Sequence, residues 1–324
     1  MPFSWKTEPR PIVALSPMAD MTDSPFCLLA KRYGARLVFR EMVSADAVVR
    51  GNAKTLTMAA FDQAERPVIQ QIFGSEPSVV AEAARVIEAQ YHPDGFDLNM
   101  GCPVYKLTAN FHGAALMREP ARAAAIVRAL RAAVAAPLSV KTRLGWSQPT
   151  DCLTFAPLLE EAGADLITVH GRTKAQGYSG SADWEMIGRV KKAVSIPLLA
   201  NGDIRSPESA SRALQVSGAD GVMVARGALG NPWVFRQIEE YLSGGRVLTE
   251  IDYNERKQAT LEHLALMESR YGERGATLLR KHLVWYWKGV PGAAVLRAEL
   301  VRIGSRAALE AAYLRFETGA SSES

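Results

Sequence analysis

The sequence predicts a parallel (β/α)8 barrel of the TIM type followed by an all-helical bundle, and three observations support this α/β fold. Eight short apolar segments recur along the first 240 residues, and most of them are separated by a helical pattern. Most of these segments end in polar residues, glycine or proline, which stop a strand. No G-x-G-x-x-G follows the first segment, so the alternative α/β fold, a doubly wound open sheet, has less support.

Each strand of the predicted barrel is a short apolar run that a turn signal ends. Asp23 or Ser24 can cap the first helix, and Pro25 suits its first position. Gly34 should end that helix just after Tyr33. The predicted strands are residues 12–15, 37–39, 67–73, 96–98, 138–143, 166–170, 196–200 and 221–224. Further helices are predicted at residues 77–89, 120–133 and 154–162.

The chain after about residue 239 has a helical pattern throughout, with glycine and proline at the turns. We predict three helices there, at residues 253–271, 276–288 and 295–314. Helices of this length and spacing are typical of an appended bundle. The sequence is therefore expected to form a barrel domain, residues 1–240, and a helical domain, residues 241–324.

The composition is that of an ordinary soluble globular protein, with 48% hydrophobic and 22% charged residues. A formal charge of +4 permits a polyanionic partner without requiring one. Cys27, Cys102 and Cys152 are widely spaced and suggest neither a disulfide framework nor a metal site. The first residues lack a signal-peptide core, and no run of about 18 apolar residues occurs. We therefore expect a cytoplasmic protein with no membrane span and no metal.

The segment DLNMGCP, residues 97–103, is the most informative stretch of the chain. Its alternating apolar residues predict a buried strand that stops in a tight turn. Gly101 permits the turn, and Pro103 prevents the strand from continuing. Cys102 is then held just past the end of the strand. A thiol at this position could be a nucleophile, a metal ligand, a proton donor or simple packing.

Polar or sulfur-bearing side chains follow nearly every predicted strand. The carboxyl ends of the strands of such a barrel form one face, and active sites lie there. One such residue alone could be an ordinary loop or capping residue, but a convergent set indicates a binding site. The set comprises Met18, Glu41, Gln71, Asn99, Cys102, Lys141, Arg143, His170, Arg172, Asn201 and Arg226.

Several of these features favour a flavin mononucleotide (FMN) site. The segments at residues 200–207 and 224–233 follow the last two strands, where barrels often bind phosphate. Lys141 ends a buried strand and needs an anionic partner, such as a phosphate or a reduced flavin. Gln71 can both donate to and accept from the edge of a flat heterocycle. The Met18 thioether suits the face of such a ring.

Seven motifs, in order along the chain, carry a resemblance to a known family, and N-x-G-C-P is the most discriminating of them. The chain resembles the tRNA-dihydrouridine synthases over nearly its whole length, and most closely their B-type bacterial branch. The family's usual G-S-A-L run is GAAL at residues 113–116, so this chain lacks that hydroxyl. The motifs are PMADMTD at 17–23, QIFG at 71–74, NMGCP at 99–103, KTR at 141–143, HGRT at 170–173, NGDI at 201–204 and ARG at 225–227.

This resemblance implies an enzyme that reduces the C5–C6 double bond of uridine in tRNA, with FMN as cofactor and NADPH, or NADH, as reductant. It implies that Cys102 is the proton donor. The residues implied to contact the target base are Asn99, Arg143, Arg172 and Tyr178. The residues implied to hold FMN are Pro17, Met18, Ala19, Gln71, Lys141, His170, Asn201, Gly202, Asp203, Ala225 and Arg226.

The residue types suit this reaction. Hydride transfer to C6 builds negative charge toward the O4 carbonyl, and C5 must then receive a proton from the opposite face. A free thiol, with a pKa of about 8.5, is mostly protonated at neutral pH and can act as that acid. A proton-donating cysteine therefore needs no neighbouring base, unlike a nucleophilic cysteine.

The helical domain carries a basic stripe that suits RNA, so we expect tRNA as partner and no obligate protein partner. Trp285, Tyr286 and Trp287 lie within it, and we expect these rings to pack the bundle rather than to contact RNA. The residues predicted to bind tRNA are Arg280, Lys281, Lys288, Arg297 and Arg302.

The residues leave two other functions open. An FMN-dependent barrel could be a dehydrogenase or reductase of a small pyrimidine-like metabolite, which would leave the basic helical domain without a role. The protein could also be a phosphate-binding barrel without flavin or a non-catalytic RNA-binding protein. A yellow purified protein would exclude this last class. A comparison of tRNA with free uridine as oxidant of the reduced enzyme would separate the first two.

Overall fold

A computed structural model describes residues 3–247 and 251–319 and contains, as predicted, a closed barrel of eight parallel strands. Each strand pairs with its neighbours in chain order, and the eighth pairs with the first. Strands in such a barrel are covered on both faces, which is why most of their residues are buried. The strands are Ile12–Leu15 (β1), Leu37–Ser44 (β2), Val68–Phe73 (β3), Gly95–Met100 (β4), Leu138–Arg143 (β5), Leu166–His170 (β6), Leu198–Asn201 (β7) and Gly221–Val224 (β8).

Helices alternate with the strands and continue after β8 as a helical region. Among the described helices, none is long and apolar enough to cross a membrane. The helices are Ser24–Arg32 (α1), Ala45–Val49 (α2), Ala53–Ala59 (α3), Pro77–Tyr91 (α4), Tyr105–Thr108 (α5), Pro120–Ala133 (α6), Cys152–Glu161 (α7), Trp184–Ala193 (α8), Pro207–Ser217 (α9), Val234–Gly244 (α10), Tyr253–Tyr271 (α11), Gly275–Tyr286 (α12), Ala294–Leu300 (α13) and Arg306–Thr318 (α14).

The amino-terminal end of the barrel is filled with apolar side chains. Trp5 is buried there and stacks on Phe39 with 6.0 Å between the ring centroids. Ile69, Leu199 and Met223, from three further strands, belong to the same cluster. This packing leaves the carboxyl ends of the strands as the place for a cavity, which is usual in barrels of this type.

Strand β2 is longer than predicted because a charged residue within it is paired. The predicted strand ended at residue 39, but β2 continues to Ser44. Arg40 is buried, and its Nη1 lies 2.8 Å from Glu65 Oε2. Its Nη2 donates to two backbone carbonyls. A buried charge is tolerated when it is paired and hydrogen-bonded, and these partners come from a segment that the strand's own sequence does not reveal.

Several other helix and strand boundaries are set by a capping side chain or by a proline. Asp23 caps α1 as predicted, with its Oδ1 accepting from the Phe26 N–H at 3.2 Å. Strands β3 and β7 begin one and two residues later than predicted, because Pro67 and Pro197 lack the N–H that a strand needs. Helix α10 runs to Gly244 and therefore crosses the boundary that we predicted between residues 240 and 241.

The single helix predicted at residues 295–314 is wrong, because α13 and α14 share that stretch. Gly304 and Ser305 separate the two helices, and Ser305 Oγ accepts from the Ala308 N–H at 3.2 Å. Ile303 is buried in the helical core, so apolar residues continue across the break. The apolar spacing therefore indicated one helix, whereas the serine cap starts a second.

The helical region packs directly against the barrel. The Tyr271 hydroxyl of α11 donates to Asp23 Oδ2 at 3.0 Å, at the start of α1. Gly230, in the loop after β8, has a φ of +67°, and a Cβ there would lie 2.1 Å from the carbonyl carbon of Trp285. The loop after β8 therefore touches the backbone of α12. Tyr286 and Trp287 are fully buried among the helices, which confirms the packing predicted for these two rings.

Two buried histidines lie where α11 and α12 meet α1. The rings of His263 and His282 are 4.7 Å apart, and Phe26 stacks on His282 at 5.1 Å. His263 Nδ1 lies 3.0 Å from the Tyr286 hydroxyl, but within the described residues neither ring nitrogen of His282 has a hydrogen-bond partner. Burial lowers the pKa of His263 to about 3 and holds the pKa of His282 well below its usual value. Both rings are therefore neutral in the folded protein at neutral pH.

These histidines should weaken the fold in acid. The unfolded chain takes up their protons near pH 6.5 and the folded chain does not, so stability falls below that pH by about 1.4 kcal/mol per pH unit per site. We predict that His282→Leu gains about 2 kcal/mol in free energy of unfolding relative to wild type between about pH 7 and about pH 5. Denaturant unfolding at several pH values measures this gain. A difference between the two proteins that does not change with pH would contradict the prediction.

Candidate functional site

A cavity of about 1010 Å³ opens at the carboxyl ends of the strands and extends to the helical region. Its size suits a cofactor together with part of a substrate. All but one of the predicted cofactor, substrate and catalytic residues line it. They are Pro17, Met18, Ala19, Gln71, Asn99, Cys102, Lys141, Arg143, His170, Tyr178, Asn201, Gly202, Asp203, Ala225 and Arg226.

A chain of hydrogen bonds runs from a buried carboxylate to the cysteine turn. Asp97 accepts from the hydroxyl of Ser139 at 2.6 Å and from Gln71 Nε2 at 2.5 Å. Gln71 Oε1 accepts from Asn99 Nδ2 at 2.9 Å. Asn99 Oδ1 accepts from the backbone N–H of Cys102 at 3.0 Å. Because an ionised carboxylate can only accept, it fixes which way both amides point and so fixes the cysteine turn.

Half-buried Lys141 and fully buried Asp97 carry opposite charges that influence each other at the base of the cavity. Burial and, to a smaller extent, the Arg143 charge lower the pKa of Lys141 to about 8, while Asp97 opposes the shift. Burial raises the pKa of Asp97 to about 6, and its hydrogen bonds and Lys141 oppose that shift. Both groups are therefore mainly charged at neutral pH. Lys141 Nζ donates to Asn201 Oδ1 at 3.1 Å and presents a cation to the cavity.

His170 is a neutral side chain in the cavity wall. Burial lowers its pKa to about 2, and the neighbouring charges of Lys141, Arg143 and Arg172 act in the same direction. Arg172 Nη1 lies 3.3 Å from His170 Nε2. Because a guanidinium only donates, Nε2 must accept and Nδ1 carries the proton. The tautomer of His170 is thus set by the arginine behind it.

Arg172, predicted to contact the target base, does not line the cavity. It is 2% exposed and lies behind His170. Its guanidinium donates to Asp203 Oδ2 at 2.6 Å and to the carbonyls of Ser179 and Gly180. The structure therefore uses Arg172 to hold the loops after β6 and β7 together. Its place in a motif after a strand could not distinguish this use from ligand contact.

Arg143 does line the cavity, and it also joins the loops after β4 and β6 to the end of β5. Its Nε donates to the carbonyl of Gly101 at 2.8 Å. Its Nη1 donates to the carbonyls of Thr173 and Gly177 at 2.9 and 2.8 Å. Within the described residues, Nη2 makes no hydrogen bond, so this guanidinium retains donors for a ligand.

Tyr178 forms part of the rim and is 60% exposed. The guanidinium carbon of Arg226 lies 4.7 Å from its ring centroid, and that of Arg143 lies 5.6 Å from it. Two cations therefore face one exposed aromatic ring at the entrance. Such a ring can also stack on a base, because aromatic faces attract both cations and bases.

The helical region supplies two side chains to the cavity wall. Lys281 and Trp285, both of α12, line the cavity. Lys281 Nζ also donates to the carbonyl of Asp20 in the loop after β1. The cavity therefore lies between the barrel and α12 rather than within the barrel alone.

Some cations of the predicted basic stripe donate hydrogen bonds to backbone carbonyls, and others do not. Arg280 donates to the carbonyl of Ile303, and Arg297 donates to the carbonyl of Trp287 at 3.0 Å. Lys288 is exposed and lies 4.7 Å from the ring of Trp285, while Arg302 is exposed at the surface. Lys288 and Arg302 are therefore the members best placed for an external polyanion.

Sequence reasoning missed three contributors to this site. Asp97 lies in the DLNMGCP segment, where the sequence pattern assigns it no role, although a charged residue inside an apolar strand signals a buried partner. Met42 lines the cavity, and its Sδ lies 3.3 Å from Asn99 Nδ2. Trp285 was expected to pack the bundle but also lines the cavity. No local sequence pattern shows that a residue of a helix distant in the chain will line the cavity.

The cavity has the features that FMN requires. Lys141 supplies a half-buried cation, and Gln71 and the neutral His170 supply polar groups for the edge of a flat ring. Met18 supplies a thioether, and the short segment 225–227 with Arg226 suits a phosphate at the carboxyl end of β8. These donors fit an anionic, flat and phosphate-bearing group.

The chain is similar in sequence to one family over almost its whole length. The family model described as Dihydrouridine synthase (Dus) matches residues 13–318. A probable tRNA-dihydrouridine synthase 1 of Synechocystis sp. is 43% identical, over 90% of this chain and 82% of the relative. A tRNA-dihydrouridine synthase B of Pseudomonas aeruginosa is 40% identical, over 89% of this chain and 87% of the relative. A probable tRNA-dihydrouridine synthase of Rickettsia bellii is 40% identical and covers 94% of each chain.

Two solved structures are similar to the fold. Histamine dehydrogenase from Rhizobium sp. 4-9 has a TM-score of 0.56 at 11% identity, over 79% of this chain and 49% of that one. A 2-naphthoyl-CoA reductase complex has a TM-score of 0.56 at 14% identity, over 72% of this chain and 50% of that one. The chain thus spans about half the length of each structure, and at these identities the likeness supports the barrel fold alone.

The three cysteines should react very differently. Cys27 and Cys152 are fully buried, and burial raises the pKa of Cys27 and raises that of Cys152 to about 12. Cys102 is partly exposed and lines the cavity. Because an accessible thiol reacts and a buried one does not, we predict that Ellman's reagent modifies one thiol in the native chain and three after denaturation. The native Cys102→Ala variant should give none, and a fast second thiol in wild type would contradict this.

Proposed function

Because the chain belongs to the dihydrouridine synthase family, in its B-type branch, we propose that Cys102 donates the proton when the enzyme reduces the C5–C6 double bond of uridine in tRNA. FMN is the cofactor, and NADPH or NADH is the reductant. The observation that carries the proposal is the position of Cys102, a partly exposed thiol in the wall of a cavity whose other groups suit FMN.

FMN, when bound, supplies the hydride that adds to C6 of the uracil ring. The residues that would hold it are those whose chemistry matches its parts. Lys141, mainly protonated at neutral pH, would lie against an anionic ring or phosphate, and Asn201 holds its Nζ in place. Gln71 and His170 would bind the ring edge, and Arg226 would bind the phosphate.

Cys102 would complete the reduction by giving its proton to C5. C6 gains a hydride, C5 gains a proton, and the double bond becomes a single bond, so the atoms and electrons balance. The thiolate left behind recovers its proton from solvent. Asn99 accepts from the Cys102 N–H and so supports the position of the sulfur during this step.

Negative charge that develops toward O4 needs a donor nearby. Arg143 lines the cavity, is committed to three carbonyls through Nε and Nη1, and retains Nη2. A fixed guanidinium that keeps a donor free at a cavity wall is suited to stabilising such charge. We therefore assign Arg143 to the substrate, with Asn99 and Tyr178.

The uridine must leave the folded RNA to enter the cavity, so the enzyme needs a surface that holds the remaining RNA. Lys288 and Arg302 are exposed cations of the helical region, and Lys281 lies where that region meets the cavity. Phosphate contacts of this kind give affinity without sequence specificity. These cations support tRNA binding by the helical domain, with Arg280 and Arg297 holding the surface in shape.

Removal of the thiol should separate the two half-reactions. We predict that Cys102→Ala binds FMN and oxidises NADPH at the wild-type rate but forms dihydrouridine about 100- to 10,000-fold more slowly, the range for loss of a general acid. Stopped-flow flavin reduction and mass spectrometry of tRNA nucleosides measure the two steps. Cys152→Ala, which removes a buried thiol, is the matched control and should retain both. Normal dihydrouridine formation by Cys102→Ala would exclude the assignment.

Charge reversal of the free cations should weaken tRNA binding alone. We predict that Lys288→Glu with Arg302→Glu raises KM for tRNA about tenfold because two phosphate contacts become repulsive, and leaves NADPH oxidation by oxygen unchanged. Arg128→Glu with Lys192→Glu, two exposed cations on α6 and α8, makes the same change in charge and should leave KM near the wild-type value. Equal turnover of free uridine and tRNA by wild type would instead favour a small-molecule reductase.

A further inference from the structure

A second cluster of cations lies on the rim of the barrel, outside the cavity. Trp146 follows β5, and Lys174 Nζ lies 4.3 Å from its ring centroid. The guanidinium carbon of Arg118 lies 5.2 Å from the same ring. The three residues come from the loops after β4, β5 and β6, and none is among the residues that line the cavity. We refer to Trp146, Arg118 and Lys174 together as the Trp146 face.

The backbone around Trp146 is held by the loop after β6. The N–H groups of Lys174 and Ala175 donate to the carbonyls of Gly145 and Trp146 at 2.8 and 2.9 Å. The Trp146 N–H donates to Asp151 Oδ2 at 3.1 Å. The backbone that carries the ring is therefore held from both loops. This fixed position distinguishes it from an aromatic residue on a free surface loop.

The two cations on this ring are not neutralised by protein. The neighbouring Arg122 pairs with Glu119 at 3.0 Å. Across the part of the chain that the structure describes, by contrast, neither Arg118 nor Lys174 forms an ion pair. A cation held over an aromatic ring has already lost side-chain freedom, so less entropy is lost when it meets an anion. The Trp146 face is therefore a preordered positive surface without an internal partner.

The position of this face matches a ligand that extends across the cavity. The helical region touches the loops after β1 and β8, where Lys281 meets Asp20 and Trp285 meets Gly230. In a closed ring of eight strands, β5 lies opposite β1. The cavity therefore lies between the helical region and the Trp146 face. A polymer that places one unit in the cavity from the helical side would pass over this opposite rim.

We propose that the Trp146 face binds backbone phosphates of the tRNA whose uridine occupies the cavity. This proposal rests on the proposed function, which supplies the polymer. The cations already lie against the indole, so the face suits phosphate contact rather than the stacking of a base between ring and protein. The face would fix the direction in which the RNA crosses the mouth, because it acts together with the helical domain on the other side.

Charge reversal at this face tests the proposal directly. Arg118→Glu with Lys174→Glu should raise the Kd for unmodified tRNA about tenfold in filter binding and make the slope of log Kd against log salt shallower by about 1 to 2. KM for tRNA should rise while kcat stays within about twofold, because the face contacts RNA remote from the reacting atoms. FMN content and thermal stability verify that the variant is folded.

The matched control is again Arg128→Glu with Lys192→Glu, which changes the total charge equally but on the outer helices. A Kd equal for the two double variants would overturn the proposal, whether both are unchanged or both are raised. If wild type forms no dihydrouridine in any tRNA, the proposed function fails. The Kd comparison then still decides whether this face binds RNA, so the two failures are distinguishable.

A charge-neutral variant isolates the role of the ring. Trp146→Ala keeps both cations but frees them, so the Kd should rise about threefold with little change in the salt slope, and Trp146→Phe should restore most of the affinity. If the ring serves only to pack the loops, Trp146→Ala will change thermal stability, and Trp146→Phe will not selectively restore the Kd. That result would remove the indole from the proposal.

Discussion

The buried carboxylate of Asp97 is the constraint on which the site depends. A charge inside a barrel strand is costly unless it is hydrogen-bonded and an opposite charge is close. Ser139 and Gln71 donate to its oxygens, and the Lys141 cation lies near enough to oppose the rise in its pKa. Because the carboxylate accepts from both donors, the amide of Gln71 is left with an accepting oxygen on its far side. Asn99 then has one possible orientation, and its own oxygen receives the backbone of the cysteine turn.

Arg143 and Arg172 hold loops in place at the opening of the cavity. The guanidinium group has five donors in a rigid fork, so one side chain can join several loop carbonyls at once. Arg172 does so behind His170, where it also fixes the ring tautomer. Arg143 does so at the cavity wall and keeps one nitrogen free of these bonds. The loops after β4, β6 and β7 are thereby held in fixed relation to the strands, which a site for a large polymeric substrate requires.

The helical region contributes to the cavity as well as to the surface beside it. Gly230 allows the loop after β8 to touch the backbone of α12, and Lys281 reaches the loop after β1. The loops after β1 and β8 are thus in contact with α12, and the exposed cations Lys288 and Arg302 lie in the turns that follow α12 and α13. In the proposed function, α12 therefore contributes both to the wall of the cavity and to the region that would hold the RNA.

Periodicity in the sequence determined the barrel, because few other folds accommodate eight apolar runs that alternate with helical patterns. Residues at the strand ends, such as Cys102 and Lys141, must then lie on one face of the barrel. The motifs also determined the family. Tertiary structure decided what local pattern leaves open. It decided that Arg172 holds loops instead of facing the cavity, that Ser305 starts a new helix where apolar spacing continued, and that Trp285 reaches the cavity wall. The physical reason is the same in each case: hydrogen-bond partners and neighbours that are distant in the chain set the use of a side chain, and a local sequence pattern contains no record of them.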